Sequence, residues 1–181
     1  NAANATIATA QVTGTIVNDD AAPSVSIAGV TVNEGQAGTT AATFVLTLSA
    51  ASELPVSVSY ATADGTAVAG SDYVPASGTA SFAPGATTAE ITVLVNGDGA
   101  LELDDTFQVN LAEVSNATVA GAQATGTIVN DDAMPVVSVA NASVSEGQAG
   151  TTAATFMLTL SAASDLPVSV SYATADRTAM A

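Results

Sequence analysis

The chain has 181 residues, one basic residue (Arg177) against seventeen acidic ones, a formal charge of −16 at pH 7, and neither His nor Cys. So acidic a surface repels nucleic acid and anionic membranes, and the missing cysteines exclude disulfides and thiol chemistry. A hydrophobic share of 48% argues against disorder, and no stretch is long and apolar enough for a membrane-spanning helix.

In chain order, the first readable element is an extended segment ending in Gly14–Asp20, "GTIVNDD", and these seven residues return 112 positions later at Gly126–Asp132. The register continues. "EGQAGTTAATF" at Glu34–Phe44 recurs at Glu146–Phe156, and "LPVSVSYATAD" at Leu54–Asp64 recurs at Leu166–Asp176. Repetition defines the folding unit, and a period of this size suits one small domain. Residues 1–20 read as the last strand of a preceding repeat. Residues 21–132 form one complete repeat, and 133–181 form the first three strands of the next. The whole reads as a slice of a longer tandem array.

Within the complete repeat, apolar and polar residues alternate with period two. Val25–Ile27 and Val30–Val32 read as a split first strand. "TFVLTLS" sets Phe44, Leu46 and Leu48 on one face, and "VSVSYAT" does the same with Val56, Val58 and Tyr60. "SDYV" suggests a short additional strand. "GTASFAP" and "AEITVLV" flank a turn at Pro84–Gly85, the latter aiming Ile91, Val93 and Val95 inward. "TFQVNLAEV" follows with Phe107, Val109 and Leu111, and a last strand runs from about Ala117 to Val129. Turn residues every eight to twelve positions, without a sustained helical period, predict an all-β antiparallel sandwich of about seven strands.

Strands that alternate in direction bring the turn after the first strand, the turn after the third, the connection before the sixth and the end of the seventh to one pole. Of the twelve acids in residues 21–132, nine fall there: Glu34, Asp64, Asp72, Asp98, Glu102, Asp104, Asp105, Asp131 and Asp132. Glu53, Glu90 and Glu113 lie elsewhere. Asp and Asn are ordinary turn formers, and any one of these acids taken alone is a solvated loop residue. Nine carboxylates without a nearby base repel one another and call for a counter-charge. Calcium accepts six to eight oxygens in flexible geometry, whereas Mg²⁺ demands a tighter octahedron and zinc wants His or Cys.

The runs "YATADGTAVAGSDY", "GTASFAPGATTAEITVLV", "GDGALELDDTFQVNL" and "GTIVNDD" resemble the Calx-β domain. That family includes regulatory domains of sodium–calcium exchangers, an integrin β-subunit module and tandem repeats of bacterial surface proteins. The resemblance implies an immunoglobulin-like sandwich with Ca²⁺ at one pole near the junction with the next domain. Carried over position by position, the implied ligands are Glu34, Asp64, Asp98, Glu102, Asp105, Asp131 and Asp132. Asp19, Asp20, Glu146 and Asp176 are their counterparts in the partial repeats. Asp104 has the outward parity and Asp72 is a turn former, so both are left out. Gly97 and Gly99 flank Asp98, and Asn130 precedes the two aspartates, where the family's strongest binders carry longer acidic runs. Fewer ions or weaker binding is therefore expected.

Catalysis finds little support without His, Cys or Lys. A glycosidase pair such as Glu102 and Asp105 would lack an aromatic sugar platform and would recur in every repeat. The sequons at Asn4, Asn116 and Asn141 fit chance in so Asn- and Thr-rich a chain. The expected role is a calcium-stabilised spacer of a long extracellular surface protein or fibre, partnered by neighbouring repeats. An adhesive module recognising a glycan or host protein is the alternative. Near-identical copies with few exposed aromatics favour the spacer.

Overall fold

The structure, a computed structural model, describes residues 3–9 and 11–177. Val, Thr and Ile, which favour pleated backbone, alternate with small residues through eleven strands, and no helix occurs among the described residues. The complete repeat supplies nine: β1 (Ser24–Ile27), β2 (Val30–Asn33), β3 (Gly38–Leu48), β4 (Val56–Asp64), β5 (Ser77–Phe82), β6 (Thr88–Gly97), β7 (Asp105–Ser115), β8 (Thr118–Val119) and β9 (Gln123–Val129). They form a sheet in the order β6-β3-β1-β8 facing one in the order β2-β9-β7-β4-β5. The predicted all-β sandwich is the observed fold.

The first and last strands both change sheets midway. β1 runs parallel to β8 in one sheet, and after Ala28–Gly29 β2 runs parallel to β9 in the other. The expected unbroken last strand is therefore two strands, because Ala120–Ala122 carries the chain across the gap between the sheets. "SDYV" is also not a strand. Only Tyr73 bridges, to Val95 and Ala69, while Asp72 folds the segment into a turn.

The core lies between the sheets. Phe44, Leu46, Val58, Ile91, Val93, Phe107, Val109 and Ile128 are buried as the alternation predicts. Phe107 sits at the centre, edge-on to Phe44 at 5.8 Å and stacked on Tyr73 at 4.6 Å. Tyr60, expected inside, is only half-buried. Its ring lies over Gly78, its partner on β5, and a glycine offers a flat seat but no covering side chain.

In the next repeat, β10 (Val137–Val139) and β11 (Leu158–Leu160) pair in the register of β1 and β3: Val137↔Leu160 stands where Val25↔Leu48 stands. The third strand expected there is not formed, because residues 168–176 have no counterparts of β5 and β7 to pair with among the described residues.

Candidate functional site: an acidic pole

β2 delivers Glu34 to the pole. Its amide donates to Val129 O (3.2 Å), and its carbonyl accepts from Thr40 Oγ1 (2.9 Å). Gly35 then turns the chain with a φ of 83°, in the left-handed region that favours glycine. A Cβ on Gly97, at the end of β6, would strike the backbone carbonyls of Glu34 and Gly35. Glycine is thus required there for β6 to approach the Glu34 turn.

β9 continues into Asn130, Asp131 and Asp132. Asp131 accepts from Gly35 N (3.2 Å) and from Asn33 Nδ2 (3.3 Å), and Asp132 accepts from the Gln36 amide. Asn130 knits the strand end to the β6–β7 connection: its amide donates to Asp104 Oδ1 (3.2 Å), its side chain donates to Glu102 O (2.9 Å), and its Oδ1 accepts from Asp132 N (2.6 Å). The asparagine that departs from an acidic run is the residue that positions the acids on either side.

Among the described residues, two buried carboxylate oxygens have no hydrogen-bond partner, Glu34 Oε1 and Asp132 Oδ2. Glu34 is only 5% exposed. Burial, with Asp132, Asp98, Asp131 and Asp72 around it, pushes its pKa up to about 7. Glu102 is also pushed up to about 7, by burial first, then by a hydrogen bond with Asp165 and by Asp98 and Glu34. The structure therefore brings Glu34, Asp98, Glu102, Asp131 and Asp132 into one electrostatic group.

Other sequence-predicted residues lie apart from it. Asp64 is engaged by the Tyr73 hydroxyl (2.6 Å) and by Ala69 N (2.9 Å), so it fastens the turn after β4. Burial and that carboxylate push the Tyr73 pKa up to about 12. Asp72 accepts from Val68 N (2.7 Å), as a turn former does, yet its charge also bears on Glu34. Asp105 opens β7 opposite Ile128 and is not among the main charges acting on Glu34 or Glu102. Asp19, Asp20, Glu146 and Asp176 are exposed, on segments that lack the strands surrounding their counterparts.

Asp165 is the residue that sequence reasoning missed. It belongs to the next repeat, at the position that Glu53 holds in the complete one, and Glu53 lies on the turn at the opposite pole. Only contact between neighbouring repeats places it here: Leu101 N donates to Ala163 O (3.3 Å), and Asp165 N donates to Leu101 O (3.1 Å).

The donor set is all oxygen and anionic, with no base in the group, and two of its oxygens are buried without partners. This fits a hard divalent cation and nothing softer. Among the described residues, no three acids are already gathered closely enough to hold an ion as they stand, so an ion would have to draw the carboxylates inward.

The Calx-beta domain sequence model matches residues 18–133 and again 130–181. Sodium/calcium exchanger 1 of Canis lupus familiaris is 48% identical over 59 residues, which is 33% of this chain and 6% of the exchanger. The chain thus spans a small part of the curated relatives it matches. Among solved structures, CBD12 from CALX1.2 superposes with a TM-score of 0.55 at 27% identity, over 60% of this chain and 44% of that one. The calcium binding domain CBD12 of CALX1.1 gives 0.53 at 27% identity, over 66% and 50%. With the family model matched across most of its length and a sandwich shared with these structures, the chain belongs to the Calx-beta domain family.

Proposed function

We propose that the acidic pole of residues 21–132 binds Ca²⁺ and that the chain serves as a calcium-stiffened spacer in a tandem array of an extracellular protein. The observation that carries the reading is the pair of partnerless buried oxygens, Glu34 Oε1 and Asp132 Oδ2, in a group without counter-charge. The calcium-binding description of a structural relative supports it. The 112-residue sequence repeat, with β10–β11 repeating the β1–β3 register, supports the array. The ligands are Glu34, Asp98, Glu102, Asp131 and Asp132, drawn together when the ion enters.

Calorimetric titration tests it. Ca²⁺ at a hundredfold excess over Kd should stabilise the chain by about 2.7 kcal/mol per site, and Mg²⁺ should do less. The Asp131→Asn, Asp132→Asn double variant should lose most of the response, and Glu90→Gln should keep it. Equal responses in both variants would reduce the effect to general screening of an acidic chain.

A further inference from the structure

The chain carries both halves of a strand pairing that it makes once. In the complete repeat β2 runs parallel to β9, from Val30↔Gly126 to Asn33↔Val129. Counted forward by 112 residues, β2 corresponds to Ala142–Ser145. Counted back, the end of β9 corresponds to Gly14–Val17, which is identical to Gly126–Val129. Among the described residues neither segment is a strand or has a strand beside it. Ile16, Val17 and Val144 are exposed, although in the paired copy Ile128 is buried and Val32 packs against the core.

Both halves already have the shape of the paired state. Asp20 N donates to Asn18 Oδ1 at 2.9 Å, as Asp132 N donates to Asn130 Oδ1 at 2.6 Å. Thr152 Oγ1 donates to Glu146 O at 3.0 Å, as Thr40 Oγ1 donates to Glu34 O at 2.9 Å. Gly147 and Gly150 have φ values of 81° and 85°, beside 83° and 80° at Gly35 and Gly38. Turns that keep their shape without the partner strand leave less ordering to be done at association.

A single copy keeps the halves apart. Only Ala21–Pro23 separate Asp20 from β1, so Asp20 lies at the end where the chain enters the sandwich. Ala142 follows Asp132 at the other end, and the Leu101 contacts to Ala163 and Asp165 hold the next repeat there. The eleven residues of β3 set the two ends about 35 Å apart.

We propose that residues 14–20 of one copy pair in parallel with residues 142–147 of a second copy, in the β2–β9 register: Ala142↔Gly14, Ser143↔Thr15, Val144↔Ile16 and Ser145↔Val17. Asp19 would then accept from Gly147 N, as Asp131 accepts from Gly35 N. Each copy donates at one end and accepts at the other, so the joint is head-to-tail and repeats beyond a dimer. It concerns separate chains and does not rest on the calcium reading of the pole.

Sedimentation of the whole 181-residue chain tests it, with and without Ca²⁺, in about 0.15 M salt to screen the charge of −16. A ladder of four residue pairs is a weak joint, so the series runs to about 1 mM chain. The wild-type mass should climb with concentration from 17.5 kDa past that of a dimer. Ile16→Asp removes the donor side and Val144→Asp the acceptor side, because each would bury an unpaired charge against an apolar partner. Each variant alone should stay at 17.5 kDa. Both positions are exposed in the single copy, so folding is not at issue. An equimolar mixture of the two variants retains one intact donor and one intact acceptor, and should form dimers and nothing larger. A wild-type chain that stays monomeric in both buffers, association that survives either variant, or a mixture that stays monomeric would each overturn the proposal.

Discussion

Glu34 brings a carboxyl group into the protein with nothing to neutralise it, and the cost shows in its proton. Folded, it holds that proton up to about 7; unfolded, it releases it near its ordinary 4.5. Between those values the folded chain binds more protons than the unfolded one, so stability falls as pH rises through the window and levels off above it. At about 1.4 kcal/mol per pKa unit, Glu34 and Glu102 together make the metal-free chain a few kcal/mol less stable at pH 8 than at pH 5. Urea melts in chelator should show this slope, and Ca²⁺ should flatten it by stabilising the ionised forms. Tyr73 gives the contrasting case. Its hydroxyl donates to Asp64, while its ring stacks on Phe107. Tyr73→Phe should keep the stacking and lose about 1.5 kcal/mol, with no change in Ca²⁺ binding. A loss of calcium affinity in that variant would return Asp64 to the ligand set.

At the scale of elements, the approach of β6 to the Glu34 turn depends on one missing methyl group. Gly97→Ala would drive a Cβ into backbone carbonyls that cannot rotate away. It should cost about 1–3 kcal/mol and weaken Ca²⁺ binding, whereas Gly99→Ala, in open space, should do neither. Thermal melts with and without Ca²⁺ separate the two. The strands also show what alternation can and cannot reveal. Period two correctly located β1 to β7 in the complete repeat and the faces of Phe44, Val93 and Phe107. It could not tell identical residues apart by their surroundings. Ile128 in "GTIVNDD" is 3% exposed between β2 and β7, while Ile16 in the same seven residues is 99% exposed with no strand beside it. The pole was legible because strand direction is a matter of counting. Asp64 and Asp165 were not, since one is claimed by a tyrosine nine residues on and the other arrives from a different repeat.

Across the whole molecule, the parallel pairing of β2 with β9 determines how a pulling force would travel. The chain enters β2 from one end of the sandwich and leaves β9 at the other, so tension drags these strands past each other in opposite directions. Their ladder, from Val30↔Gly126 to Asn33↔Val129, is loaded in shear, and its hydrogen bonds must fail together instead of one at a time. Glu34 N to Val129 O and the Asp131 contacts to Asn33 and Gly35 bolt the far end of that ladder. A cation between Glu34, Asp131 and Asp132 would add a non-sliding rivet at the same place. Resistance to pulling is set by the unfolding barrier and not by equilibrium stability. Single-molecule stretching should therefore show one abrupt rupture per complete repeat, at a force that rises with Ca²⁺ and drops in the Asp131→Asn, Asp132→Asn double variant. A gradual, calcium-independent extension would mean that the ladder peels. In the proposed tandem array the sandwich would then act as a tether whose strength is set by the calcium around it.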